Sequence, residues 1–428
     1  MSSTSQRKAQ HLQADILIIG AGPAGIAALL PLLEAGRRVI WVEQSAQAGG
    51  QIWRAGLPAH WRAQVEAALS HPSLQCCFGH AVIDAHIEAT DQAVSLRLYQ
   101  PAHPNRVPVQ VQAPQLLLAT GGRERFLPFP GWTLPGITGA GGLQALVKQG
   151  WPIEGQRVVL AGSGPLLLAA ADTVRQAGGQ ILLIAEQASR ASLLRFAAGL
   201  PATKAAQAAG LAWRLRGIPY RSGTWVQSAS GDGRLQSIQL STGRATWALD
   251  CDALGLGFGL LPNTELAQML GCQLTDDGAI AVDAGMATNL PGVFAAGECT
   301  GIGGVDKSVV EGSLAAQSML GRAGASRSRR GALKFADLLQ RRFSSRPEVL
   351  KLADISTTIC RCEDVSLGQL KAHSDWREAK LQTRCGMGAC QGRICGPICE
   401  SLLGWPAQQN RGLRTPLQAA PLHLLAED

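Results

Sequence analysis

The sequence predicts an α/β protein built from two strand, glycine-turn and helix units, the second inserted into the first, with a small cysteine-rich region towards its end. Three observations predict it. ADILIIGAGPAGIAALLPLLEAG (residues 14–36) forms the first unit, and QRVVLAGSGPLLLAAADTVRQAGGQILLIAE (residues 156–186) repeats the plan. Six of the eleven cysteines then fall between residues 357 and 400, among glycine-rich turns and charged residues. With 428 residues, 46% of them apolar, 16% charged and 50 glycine, the chain has material for about three domains with sizeable cores, and disorder is excluded for most of it.

ADILIIG has the unbroken apolar run of a buried strand and leads straight into Gly20, Ala21, Gly22, Pro23, Ala24 and Gly25. IAALLPLLEAG follows as a helix closed by a glycine. That is the order of a Rossmann unit, whose glycines permit a tight turn, a pyrophosphate against the backbone and close helix–strand packing, while the helix N-terminus favours the phosphate charge. RVIWVE is the next strand; it ends at Glu43, placed to accept from a ribose hydroxyl, and Gln44 follows.

Further along, Gly49, Gly50 and Gln51 form a turn that would run beside an extended cofactor. A buried strand in LLLATGGRERFLPFPGW (residues 116–132) ends at Thr120 and Gly121, and TNLPGVFAAGECTGIGG (residues 288–304) carries Gly297 and Glu298. ATG followed by PGVFAAGE resembles the motifs of the two-dinucleotide-domain flavoprotein reductases. The resemblance implies that these residues contact the pyrophosphate and ribityl chain of FAD. The family's usual acid after AAG is Asp; here it is Glu298, one methylene longer.

In the second unit Gly162 and Gly164 are in place and Glu186 closes the following strand, but Leu167 stands where the third glycine belongs. A leucine there should hold helix and strand further apart or shift the turn. NAD(P), ATP and an unoccupied, vestigial fold remain the alternatives for this domain. The expected division is a discontinuous FAD domain (1–130 and 246–325), an inserted NAD(P)-like domain (131–245), a linker and connecting helix (326–350), a cysteine domain (351–412) and a tail (413–428). GRAGASRSRRG reads as polar linker and LKFADLLQRRFSS as the connecting helix.

In the cysteine region, Cys360 and Cys362 at i, i+2 point to one face of an extended segment and can grip one metal centre. GMGAC and QGRIC offer Cys390 and Cys395 on a loop whose glycines let backbone N–H groups turn inward. Four thiolates hold either a [2Fe–2S] centre or tetrahedral zinc, and the C-x-C and C-x4-C spacings lack the usual zinc-ribbon look. Cys385 and Cys399 are spares: Cys385 can replace Cys390 or Cys395, and Cys399 reads better as a small buried residue in the helix ICESLLGW. No redox cysteine pair follows GGQ; adjacent Cys76 and Cys77 would make a strained disulfide, and Cys299 reads as packing.

The net charge of +8 is spread along the chain apart from SRSRRGALK (residues 326–334), which has no interleaved aromatics, so nucleic acid is disfavoured as a partner. The run after Arg7 and Lys8 is not a secretion signal, since Asp15 opens it and GAGPAG interrupts it. Reduced cysteines without an export signal point to the cytoplasm or the cytoplasmic face of the membrane.

The order of these parts, ending in CRCEDV and TRCGMGACQGRICGP, resembles the α subunits of multi-subunit flavin-dependent amino-acid dehydrogenases. That group includes proline and hydroxyproline dehydrogenases, opine oxidases, the hydrogen cyanide synthase subunit of the same layout and the sarcosine oxidase α chain. Its terminal segment is similar to the bacterioferritin-associated ferredoxin-like [2Fe–2S] domain. The resemblance implies cluster ligation by Cys360, Cys362, Cys390 and Cys395. It also implies a flavin-containing catalytic β subunit and an acceptor such as a quinone. Some members of the group add an FMN at a subunit contact and a small ferredoxin-like γ subunit. No His, Asp and Tyr constellation for binding an amino acid and taking its proton stands out, and the eight histidines are scattered, so no catalytic residue is assigned. The expectation is an electron-transfer subunit. A self-sufficient NAD(P)H reductase is the alternative, and a zinc-binding nucleotide sensor the third.

Overall fold

The computed structural model describes residues 10–54, 56–322, 327–406 and 413–425, and these fall into two compact units. The first comprises residues 1–123, 261–336 and 412–428. Its centre is a five-stranded parallel sheet in the order Val293–Ala295, Gln115–Leu118, Ile16–Ile19, Val39–Glu43, Leu74–Phe78. The inner strands are apolar but for Gln115 and Glu43 at their ends, because both faces are covered, as parallel sheets require. The helix Pro23–Glu34 starts with proline, where the missing N–H is no loss, and packs along the helix Val305–Met319. Their contact is tight enough that a Cβ on Gly312 would stand 2.1 Å from the Ala24 carbonyl oxygen.

A second, four-stranded sheet runs Gln10–Gln13, Val109–Ala113, Val94–Tyr99, Ala81–Ile87. The tail packs back on it: Leu417 N donates to the Ile83 carbonyl (2.7 Å), Gln418 Nε2 to that of Val82 (3.1 Å), and the Tyr99 hydroxyl to that of Ala419 (2.9 Å).

The second unit comprises residues 124–260 and 337–411. Its parallel sheet has the order Ile137–Gly139, Ala253–Gly257, Arg157–Gly162, Gln180–Glu186, Tyr220–Ser222, followed by an antiparallel sheet of Trp225–Ser230, Ser237–Ser241 and Thr246–Asp250. Leu167 is fully buried and does not break the helix–strand contact expected of a third glycine. Room comes from the neighbouring strand: a Cβ on Gly257 would meet the Leu167 side chain at 2.9 Å. The cysteine region shares a core with this unit, through Ile359, Cys360, Val365, Trp376 and Ile398 packed with Trp132 and Phe129. The Trp132 indole N–H donates to the Thr358 carbonyl at 2.7 Å, and the Arg361 guanidinium lies 5.5 Å from the Trp132 ring centre.

One expected boundary shifts. The connecting helix is Arg327–Arg342 and so begins inside the stretch read as polar linker, the rest of which lies partly outside the described residues. Arg329 is held by Glu311 Oε1 at 3.0 Å and the Asp283 carbonyl at 3.3 Å, contacts that a local hydropathy pattern does not carry. No helix among the described residues is long and apolar enough to cross a membrane.

Gly312→Ala should therefore cost about 1–3 kcal/mol through overpacking. Gly331→Ala, in the exposed helix Arg327–Arg342 with nothing within 4 Å of its Cβ position, should gain about 0.5–1 kcal/mol. Thermal melting of the two variants against the parent chain checks both signs.

Candidate dinucleotide and metal sites

The first glycine turn is built by backbone approaching backbone. Gly20 has φ +109°, and a Cβ there would stand 2.2 Å from the Ala119 carbonyl oxygen. A Cβ on Gly25 would lie 2.0 Å from the Gly20 oxygen, so only glycine lets the helix Pro23–Glu34 start where it does. The Gly49–Gly50–Gln51 turn is drawn onto the same place: Gly49 N donates to the Ala21 carbonyl at 2.7 Å, and a Cβ on Gly50 would stand 3.0 Å from the Gly22 Cα. Glu43 braces the turn, one oxygen accepting from Ala21 N and the other from Ser45 N, both at 2.8 Å. A carboxylate has about four lone-pair sites, so capacity remains for a ribose hydroxyl. Gln44 and Gln51 are exposed beside it. This cradle, closed to side chains and lined by amides at a helix N-terminus, fits the pyrophosphate of a dinucleotide.

The other two motifs lie in the same unit. Thr120 Oγ1 donates to the Asn263 carbonyl at 2.6 Å, leaving Gly121 at φ +72° beyond it, and a Cβ on Gly297 would lie 3.0 Å from the Ala24 Cβ. The longer Glu298 turns back on its own loop and accepts from Gly304 N at 2.6 Å, at the start of the helix Val305–Met319. Burial pushes its carboxyl up, and the Gly304 N–H pulls the other way.

Beneath this turn lies a charge network that sequence reasoning missed. Lys307, 1% exposed, donates from Nζ to the Gly297 carbonyl (2.8 Å), Thr300 Oγ1 (2.8 Å) and Glu311 Oε2 (2.7 Å), which uses all three of its protons. Glu311, fully buried, also accepts from Gly297 N and Arg329 Nε. The available signal was a Lys and a Glu at i, i+4 within an apolar helix, a spacing that reads equally as a surface pair.

The second glycine turn is braced alike, with Glu186 accepting from Gly164 N and Ala188 N at 2.7 Å each. Two things differ. Glu186 is only 1% exposed, and burial pushes its carboxyl up. The turn is also covered by the chain itself: Phe343 Cγ lies 3.6 Å from the Cβ position of Gly164, and the Phe343 carbonyl oxygen lies 3.2 Å from Ser163 Oγ. The segment is tied down by Ser192 Oγ to the Arg342 carbonyl (2.8 Å) and Arg346 N to Gln187 Oε1 (3.1 Å), with the Phe196 and Phe343 rings edge to face at 4.8 Å.

In the cysteine region the Sγ atoms of Cys360, Cys385 and Cys395 lie within 4.8 Å of one another, all buried. Cys362 is exposed, Cys390 is half-buried, and the two interact with each other. The structure thus brings Cys360 and Cys395 together and adds Cys385, which spacing had left as a spare. Cys399 is buried in the helix Cys395–Leu403. Neighbouring thiols, Cys385 first and then Cys395, hold the Cys360 thiol down to about 2, and Cys395 draws Cys390 down to about 5. The Cys395 thiol is pushed strongly up by Cys360 and its other sulfur neighbours. Trp376 walls the basket: a Cβ on Gly386 would meet its ring at 2.7 Å and one on Gly392 at 3.2 Å. This donor set of converging thiols fits a thiophilic metal centre.

Strands, glycine turns and helices in this order define the two-dinucleotide-binding flavoprotein fold. Residues 14–319 match the pyridine nucleotide-disulphide oxidoreductase family, and the chain belongs to it. It is 31% identical over 436 residues to hydrogen cyanide synthase subunit HcnB of Pseudomonas aeruginosa (90% of this chain, 92% of the relative). It is 31% identical over 428 residues to an opine oxidase subunit of Rhizobium meliloti (91% and 92%). L-proline dehydrogenase from P. horikoshii shares the fold, with a TM-score of 0.69 at 19% identity over 99% of this chain and 81% of that one. No two cysteines of the sequence stand at C-x-x-C spacing.

Lys307→Met would leave the buried Glu311 with one cation in place of two and should destabilise the first unit by about 3–5 kcal/mol. Urea denaturation followed by flavin retention measures it; an unchanged midpoint would show that the network is slack.

Proposed function

We propose that the chain is the FAD- and [2Fe–2S]-carrying electron-transfer subunit of a hetero-oligomeric amino-acid dehydrogenase of the proline, hydroxyproline or opine type. The observation that carries this is one polypeptide holding both a glycine cradle open to a dinucleotide and a buried basket of thiols. The names of the two relatives agree with it, each being one subunit of a larger enzyme.

In this reading Gly20, Gly22, Pro23, Ala24 and Gly25 present their amides and the helix N-terminus to the FAD pyrophosphate, and Glu43 accepts from the ribose. Gln44, Gly50 and Gln51 run along the cofactor; Thr120, Gly121, Gly297 and Glu298 flank its ribityl side. Cys360, Cys362, Cys390 and Cys395 are the assigned cluster ligands. Bound there, a flavin takes two electrons and releases them singly, and an iron–sulfur cluster carries one. The bond-breaking step belongs to a flavin-containing catalytic partner, with an FMN at the subunit contact and a ferredoxin-like third subunit as further components. A quinone is the acceptor, reached from the cytoplasm at the inner face of the membrane.

An NAD(P)H reductase would need the second glycine turn, Gly162 and Gly164, to receive a nicotinamide or adenine nucleotide. Residues 342–346 lie across that turn, and Glu186 is shut away from a ribose, which argues against it.

Anaerobic purification with companion subunits, followed by dye reduction with cyclic and secondary amino acids, tests the proposal. The expected result is turnover only in the assembled complex, with no bleaching of flavin absorbance by NADH or NADPH. Steady dye reduction by the isolated chain with either nucleotide would overturn it.

A further inference from the structure

The ligand assignment above uses four thiols, yet a thiol outside it, Cys385, is among the best placed. Cys385 is 0% exposed and shares one small volume with Cys360 and Cys395, every Sγ within 4.8 Å of the other two. Thiolates around one tetrahedral ion stand about 3.8 Å apart when the metal–sulfur bond is about 2.3 Å. Three sulfurs already confined to that scale need only small rotations to face a single metal. Cys362 and Cys390 form a more exposed pair, of which Cys390 also reaches Cys395.

The backbone around Cys385 is specifically held. The helix Trp376–Thr383 ends at Arg384 in the left-handed conformation (φ +63°), which turns the chain abruptly so that the next residue, Cys385, points inward. Arg384 Nε binds Glu363 Oε2 at 2.8 Å and ties this turn to the loop that carries Cys360 and Cys362. Cys385 N donates to Thr383 Oγ1 at 3.2 Å, and Gly386 seats against the Trp376 ring, where a Cβ would come within 2.7 Å. Packing, an ion pair and a helix end therefore all fix the thiol in the basket, and an ordinary buried cysteine needs none of them.

We propose that Cys385 is a reserve ligand of the buried metal position, able to take the coordination place of Cys395. This rests on the metal-centre reading above. The exchange is a ligand substitution without electron transfer: the Cys385 thiol would give up its proton as its sulfur binds the iron, and the Cys395 sulfur would leave that iron and take up a proton, with no change in the metal's oxidation state. The site thereby has five competent thiols for four places, three of them at the buried end.

Iron and acid-labile sulfide per chain, the visible spectrum and the EPR spectrum of the reduced protein are measured on the full chain and on Cys385→Ser, Cys395→Ser and the double variant, with circular dichroism to verify folding. The unsubstituted chain and Cys385→Ser should hold the same iron. Cys395→Ser should keep at least half of it with a shifted EPR signal, and the double variant should fall roughly tenfold. A folded Cys395→Ser protein as empty as the double variant would overturn the proposal, and so would loss of iron from Cys385→Ser alone, which would make that thiol obligatory. Iron absent from the unsubstituted chain would instead sink the iron–sulfur reading itself.

Discussion

Main chain lies against main chain at the first glycine turn, with no side chain between. The Gly20 carbonyl fills the space a Cβ on Gly25 would need, Gly50 closes on Gly22, and the Ala24 carbonyl abuts Gly312 of the helix Val305–Met319. Sheet, two helices and the Gly49–Gln51 turn are thereby fixed relative to one another within this unit. A methyl group on Gly25 or Gly312 would push neighbouring backbone aside, because close-packed interiors transmit such a shift without absorbing it. The amides left facing outwards are what a phosphate needs, so the steric constraint and the binding property are one arrangement.

Charge is handled differently in the two glycine turns, although a glutamate braces each. Glu43 stays partly accessible and keeps acceptor capacity beyond its two backbone partners. Glu186 is enclosed, and every partner it has comes from its own domain. The same sequence pattern of strand, turn, helix, strand and acid thus yields one receptive site and one closed by the chain. What separates them is the contact with Phe343, some 180 residues further on.

That difference marks what could be read from the sequence. Local patterns were sufficient for both Rossmann-like units and the helical place of Cys399, because each depends on residues within a few turns of one another. Leu167 looked disruptive only because its counterpart, Gly257, lies on a strand 90 residues away. The thiol basket was legible as chemistry but not as grouping. Spacing pairs Cys360 with Cys362, whereas the turn at Arg384 and the wall formed by Trp376 put Cys385 beside Cys360 and Cys395. The Lys307–Glu311 pair was invisible as a buried feature because its i, i+4 spacing also suits a solvated face.

The contact of Arg329 with Glu311 bears on how the chain can be dissected. Composition suggests cutting in the glycine- and serine-rich stretch after Met319, where a fragment would look cleanly finished. Such a fragment would strip one of two cations from a carboxylate that water cannot reach. An excised dinucleotide half must therefore keep the first turns of the connecting helix, and its natural edge is set by electrostatics at Arg329 in preference to the small polar residues before it.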